Sequence, residues 1–313
     1  MTNNRNLMHN LVFRPIGFLT AVTLIAGGCA RHLPPAQRVN ENNVKIMRTS
    51  FGGGATETTA TAAATAEPTG WATLKGTFKL EGTPPARTPL AITKDHEVCA
   101  PGGKPVLSEE LVVDSATNGI KDVVIYLTSP GKFPVGDPKW EHPDFAASAT
   151  ATLEYDQKNC VFLTQMFAMR SKQKAKVMNS DPVGHNTNIQ GTGKAAQINA
   201  TIPSGSSTTY EPGGEAPEPF SVSCAIHPWM SARMIVRDSP YFAVTKPDGS
   251  FEIANVPAGV PLEFRVWQER GKFLQDVKVD GKPEKWSKGR LKLTLQPGEQ
   301  KTMDVAVDAS AFK

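Results

Sequence analysis

The chain has 313 residues, 39% hydrophobic and 20% charged, a balance that excludes disorder along its whole length and suits about two domains. Lys and Arg number 34 against 30 Asp and Glu, a net charge of +4, too small and too scattered for the basic footprint of a nucleic-acid binder, so no nucleic-acid partner is expected. With 26 Gly and 25 Pro the sequence favours frequent turns over long helices, and no apolar run after residue 30 approaches the roughly 20 residues of a membrane helix.

Residues 1–28 read as an export leader. Arg5, His9 and Arg14 precede an apolar stretch over 16–26, which closes on the small residues Ala26, Gly27 and Gly28. Cys29 follows. Small residues directly before a Cys resemble the bacterial lipobox, although Ala26 stands where Leu is commonest. The resemblance implies an exported lipoprotein, acylated at Cys29 and tethered to a membrane in the cell envelope or periplasm. The alternative is a plain signal peptide cut nearby, with Cys29 incidental. Residues 29–70 read as a tether, because FGGGATETTATAAATAEPTG (51–70) holds almost no large side chain that could offset its ordering entropy.

Order is expected from Trp71. WATLKGTFKLEG alternates as a strand does, and 111–127 reads as strand, Asn-Gly turn, strand. The segments 150–156, 160–169, 174–179, 198–202, 220–224 and 230–238 continue the pattern, and 203–219 reads as a Pro/Gly/Ser loop. Short strands with frequent turns predict an all-β fold of sandwich type. The expected division is a first sandwich domain over 71–239, with an N-terminal extension, and a smaller one over 240–313.

The second domain carries a pattern: Thr245, Asp248, Gly249, Phe251, Ile253, Asn255, Val256, Pro257, Ala258 and Gly259. It resembles the carboxypeptidase-regulatory-like β-sandwich, a likeness that implies a fold and almost nothing about activity. Trp267 and Trp286 are candidates for stacking on sugars, against the plainer reading of core tryptophans.

The segment FSVSCAIHPWMSARMIV (220–236) carries the chemistry. Cys224, His227 and Met230 follow a Cys-x2-His-x2-Met spacing between two strand-like runs. Thiolate, imidazole and thioether together suit copper in both oxidation states. His185, in a polar turn after the strand-like 174–179, can supply a second nitrogen. Strand ends on both sides hold the loop, and Pro228 restricts φ within it, so little ordering is needed when metal binds.

This layout resembles the type 1 blue-copper cupredoxins, whose fold is a Greek-key β-sandwich. The loop, with Pro after the His and an aromatic before the Met, is similar to the amicyanin and methylamine-utilisation groups. The resemblance implies one type 1 copper, with His185, Cys224 and His227 as equatorial ligands and Met230 as the long axial one. It further implies that Asn186 ties the two ligand loops together, and that electrons leave through an exposed edge of His227 beside Pro228 and Trp229. An electron carrier rather than an enzyme is expected, with a dehydrogenase or cytochrome as redox partner. Few histidines stand outside this set, which excludes a multicopper oxidase; a single loop Cys excludes a binuclear centre. The competing function is an envelope module that binds carbohydrate or protein without redox chemistry.

Cys99 and Cys160 remain. An oxidising compartment permits a disulfide between them. Two buried free thiols, or a second metal site around Asp95, His96 and Cys99, stay open as alternatives.

Overall fold

The computed structural model describes residues 66–313. The leader, Cys29 and most of the tether lie outside these residues. Among the described residues no helix is long and apolar enough to cross a membrane. The fold is all-β, as expected: four sheets, stacked in pairs as two sandwiches.

One sandwich is continuous in sequence. Its first sheet runs, in spatial order, Met166–Arg170, Ser231–Arg237, Phe220–Ser223, His185–Gln190 and Gln197–Ile202. Its second runs Val161–Phe162, Thr152–Lys158, Lys174–Asn179 and Ser207–Tyr210. Period-two alternation explains the pairing: Tyr155, Ala175, Val177, Tyr210, Val222, Ala232, Met234 and Val236 all point into one core. The segment 203–219, expected as loop, contains the strand Ser207–Tyr210, which pairs antiparallel with 174–179 and buries Tyr210.

The other sandwich is discontinuous, and here the expected boundary at 239/240 is corrected. The strand Gly70–Glu81 pairs parallel with Gln300–Asp308 and antiparallel with Ser250–Ala258. Val124–Leu127 pairs with Phe242–Val244 and Pro261–Gln268. Residues assigned from sequence to the first domain thus complete the second. The physical reason is edge chemistry. Without 70–81, the long apolar strands 250–258 and 300–308 would leave ladder groups and the faces of Phe251, Ile253, Met303 and Val305 uncovered. Leu74, Phe78 and Leu80 fill that slot, and Gly76 is required there, since a Cβ would meet the Met303 carbonyl oxygen at 1.8 Å. The predicted hairpin over 111–127 is reduced to a Val113–Ile120 bridge around Asn118, with the strand beginning only at Val124.

The Thr-x-x-Asp-Gly pattern acquires a mechanical explanation. The Thr245 hydroxyl, buried, donates to the Ile120 carbonyl at 2.6 Å and accepts from Val123 N at 2.9 Å. Asp248 Oδ1 accepts from Ser250 N, and Gly249 takes φ +80° where its amide reaches the Lys246 carbonyl. The pattern joins the hairpin to the strand at 124–127. Trp267 and Trp286 are buried, Trp286 in this core and Trp267 between the sandwiches with Val124, Tyr126, Met166 and Ile235. Neither offers a face to a sugar.

Between Glu81 and Val124 the chain leaves the discontinuous sandwich and returns. Thr88 and Ser108 close the base of this excursion, with Ser108 N donating to Thr88 O and Leu90 N to Val106 O, while Arg87 reaches the carbonyls of Leu107 and Ser108. Within it, the short helix His96–Cys99 packs Val98 and Cys99 against the core of the continuous sandwich.

Candidate metal centre

His185 opens the strand His185–Gln190, a strand position instead of the expected turn; Cys224 follows the strand Phe220–Ser223, and Met230 precedes Ser231–Arg237. Strands 220–223 and 185–190 are neighbours, which brings His185 and Asn186 beside Cys224. His185, Cys224 and His227 each present one donor atom, and these three atoms lie within 4.8 Å of one another. Nδ1 of His185 is 2.9 Å from Nδ1 of His227, and Cys224 Sγ is 4.0 Å from that His227 nitrogen. All three residues are buried, and Cys224 is a free thiol.

The sulfur is held by backbone. It accepts N–H bonds from Asn186 at 3.3 Å and from His227 at 3.4 Å. Asn186 Oδ1 in turn accepts from Ala225 N at 3.1 Å, and its amide donates to Asn199 Oδ1 at 2.6 Å. Asn186 thus ties the strand that begins at His185 to the loop between Cys224 and Met230. Met230 is buried on the same loop, its amide donating to the His227 carbonyl at 2.9 Å and its carbonyl accepting from Cys224 N.

The charges are arranged for a cation. Burial pushes the Cys224 thiol up, but hydrogen bonds from His185 and from the backbone N–H groups of Asn186, His227 and Ile226 outweigh it, and the net direction is down. Burial pulls His185 down, yet the Cys224 sulfur and the Asp181 carboxylate reverse this, and it rises above the ordinary imidazole value. Burial also pulls His227 down; the Asp95 bond only partly offsets it, the facing His185 adds to it, and the net direction is down. The directions run together: the Cys224 thiol loses its proton more readily than usual, while His185 holds one more tightly and His227 less tightly.

Two carboxylate–histidine pairs escaped the sequence reading, which had Asp95 only in an alternative second metal site and did not single out Asp181. Asp181 Oδ2 accepts from His185 Nε2 at 2.7 Å, and Asp95 Oδ2 accepts from His227 Nε2 at 2.8 Å. Asp181 stands four residues before its histidine, a spacing that could have drawn attention. Asp95 is separated from His227 by 132 positions, and no local signal connects them.

Cys99 and Cys160 form a disulfide across 61 positions, which closes the alternatives of free thiols and of a second metal site at Cys99; His96 is exposed. Cys160 sits in a tight turn with Asn159, both at positive φ, and Asp181 fastens that turn by accepting from both amides. The disulfide abuts the centre: its two sulfurs and a ring nitrogen of His227 lie within 4.8 Å. Trp229 Nε1 donates to the Cys160 carbonyl at 3.2 Å, with its ring 5.1 Å from that of His227.

The expected exposed edge of His227 is corrected. The ring has no accessible surface, because the 88–108 excursion lies over it and Asp95 occupies its outer nitrogen.

No family model matches the chain, and no curated protein does. Among solved structures it is similar to the reduced Cu(I) form of an amicyanin variant, at 15% identity and a TM-score of 0.25, over 28% of this chain and 82% of that one. A second amicyanin variant in the Cu(I) form matches over the same shares at 12% identity and 0.25. A copper-containing nitrite reductase from Thermus scotoductus matches at 12% identity and 0.25, over 27% of this chain and 22% of that one.

Proposed function

We propose that the protein is a type 1 copper protein that carries electrons in the cell envelope. The observation that carries this reading is the convergence of the Cys224 sulfur and the Nδ1 atoms of His185 and His227 in one buried place. Soft sulfur with two imidazoles fits copper, and Met230, buried on the same loop, would add a weak thioether donor. Copper would supply one-electron chemistry between its cuprous and cupric states. The protein's own residues do the rest. Backbone N–H groups hold the Cys224 sulfur in position, and carboxylates on both Nε2 atoms leave both Nδ1 atoms on the side of that sulfur, where they would hold the metal. Strands flanking the loop, the Asn186 tie and the surrounding core limit movement between oxidation states and exclude water.

The proposed setting is a chain exported by its leader, acylated at Cys29 and exchanging electrons with a soluble or membrane dehydrogenase or cytochrome. Copper titration of the purified chain, followed by visible absorption and electron-paramagnetic resonance, tests the centre. Expected is an intense visible thiolate-to-copper band with a narrow hyperfine splitting, both lost in Cys224→Ser. Full copper occupancy without that band rejects the type 1 assignment.

A further inference from the structure

We propose that the 88–108 excursion is a built cap on the metal centre, and that Asp95 on it is a positioning residue for His227. The proposal rests on the copper reading for its metal, but its geometry is independent of any ion. Four observations on different parts of the chain carry it.

Asp95 Oδ2 meets His227 Nε2 at 2.8 Å, so the carboxylate accepts a hydrogen bond from the Nε2–H and leaves the lone pair on Nδ1, on the side of Cys224 and His185. A histidine whose outer N–H is bonded to a carboxylate is fixed in tautomer and ring orientation, and is a more basic ligand. The position of Asp95 is itself over-determined. It adopts φ 53°, uncommon for a residue other than glycine, while its carbonyl accepts from both Val98 N and Cys99 N. Four residues on, Cys99 is bonded to Cys160 in the continuous sandwich, and Asp181 clamps the Cys160 turn. At its base the excursion is zipped between Thr88 and Ser108 and anchored by Gln268 Nε2 on the Glu110 carbonyl. The Asp95 side chain is 39% exposed whereas the ring it holds is fully enclosed. Asp95 is thus the lid over the ligand, delivered by the discontinuous sandwich and riveted by the disulfide to the other.

Asp181 plays the matching part on His185, from within the same sandwich. The two imidazoles are therefore held alike, although one carboxylate comes from a neighbouring turn and the other from a remote excursion.

The test uses the full-length chain and Asp95→Gly, which relieves the positive φ while deleting the carboxylate, together with Asp95→Asn and Asp95→Glu. In the metal-free chain, imidazole nitrogen shifts by NMR should show His227 protonated at Nε2 in the wild type and a mixture of tautomers in Asp95→Gly. Copper affinity, measured by competition with a chelator, should fall about 10- to 100-fold in Asp95→Gly and recover in part in Asp95→Glu. The reduction potential should rise in Asp95→Asn, because loss of a negative charge beside the metal favours the cuprous state. In a Cys99→Ser/Cys160→Ser background, Asp95→Gly should have a much smaller effect, since the cap no longer delivers the carboxylate. Unchanged tautomer, affinity and potential in a folded, disulfide-intact Asp95→Gly chain overturn the proposal. A wild type that binds no copper but shows the Asp95-dependent tautomer rejects the copper reading and leaves the cap standing.

Discussion

Cys224, His227 and Asn186 show how few bonds hold a buried thiol in place. Two backbone N–H groups aim at the sulfur, and one carboxamide joins the strand of His185 to the loop of His227. Asn186→Ala should cost about 1 kcal/mol in denaturant unfolding, through the orphaned Ala225 amide, and broaden the copper absorption band as the loop loosens. Asp122 makes the opposite case, a carboxylate the fold tolerates badly. Burial raises its pKa to about 6, and Lys121, whose Nζ stands 3.4 Å from Oδ2, compensates only in part. Its folded-state pKa lies above the unfolded one, so the folded protein binds the extra proton. The protonated state's advantage is complete below about pH 4 and disappears as pH rises through about 6. Asp122→Asn, at a φ of 63° that Asn accepts, should therefore raise the melting temperature at pH 8, by the equivalent of about 2 kcal/mol. The gain should shrink as pH is lowered below 6.

At the scale of elements, two devices fasten distant segments together. The first is the Thr245 hinge between hairpin and neighbouring strand. Thr245→Val keeps the volume but strands the Val123 amide and the Ile120 carbonyl, and should cost about 2 kcal/mol by urea titration. The second is the disulfide that pins the excursion to the turn at Asn159–Cys160. In the chain-entropy picture, cross-linking a loop of 61 residues stabilises by about 4 kcal/mol, so Cys99→Ser/Cys160→Ser should shift the urea midpoint down by up to that much. A shift near zero would mean that packing alone holds the excursion.

Across the whole molecule the two sandwiches are interlocked. Arg170, on an edge strand of the continuous one, pairs with Glu141 from the other at 2.8 Å, with both side chains largely buried. Arg237 sends one nitrogen to the Leu127 carbonyl and another to the Ala216 carbonyl, and lies over the Tyr126 ring. Glu269 accepts from both Gln165 and Arg233. Apolar contact among Val124, Tyr126, Met166, Ile235 and Trp267 fills the space between. Glu141→Ala leaves the Arg170 guanidinium buried and unpaired and should cost about 3 kcal/mol, seen as an earlier urea transition. Because both sandwiches meet at this contact, calorimetry of the full-length chain should show them melting together.

The sequence by itself determined the all-β class, the strands with clean alternation and the candidate Cys-x2-His-x2-Met loop. These are properties of short windows, where period-two burial and a three-residue spacing are written in consecutive residues. His185 was legible as a donor, but its place at the start of a strand was not, because polar His-Asn-Thr-Asn lacks the apolar alternation that marks a strand. Only the tertiary structure decided that residues 70–81 and 124–127 belong with the C-terminal strands, since an edge is completed by whichever chain segment fits it, however distant. The same holds for Asp95. A hydrogen bond to His227 depends on where the 88–108 excursion is laid down, and that is fixed by a disulfide and a strand partner contributed from opposite ends of the fold.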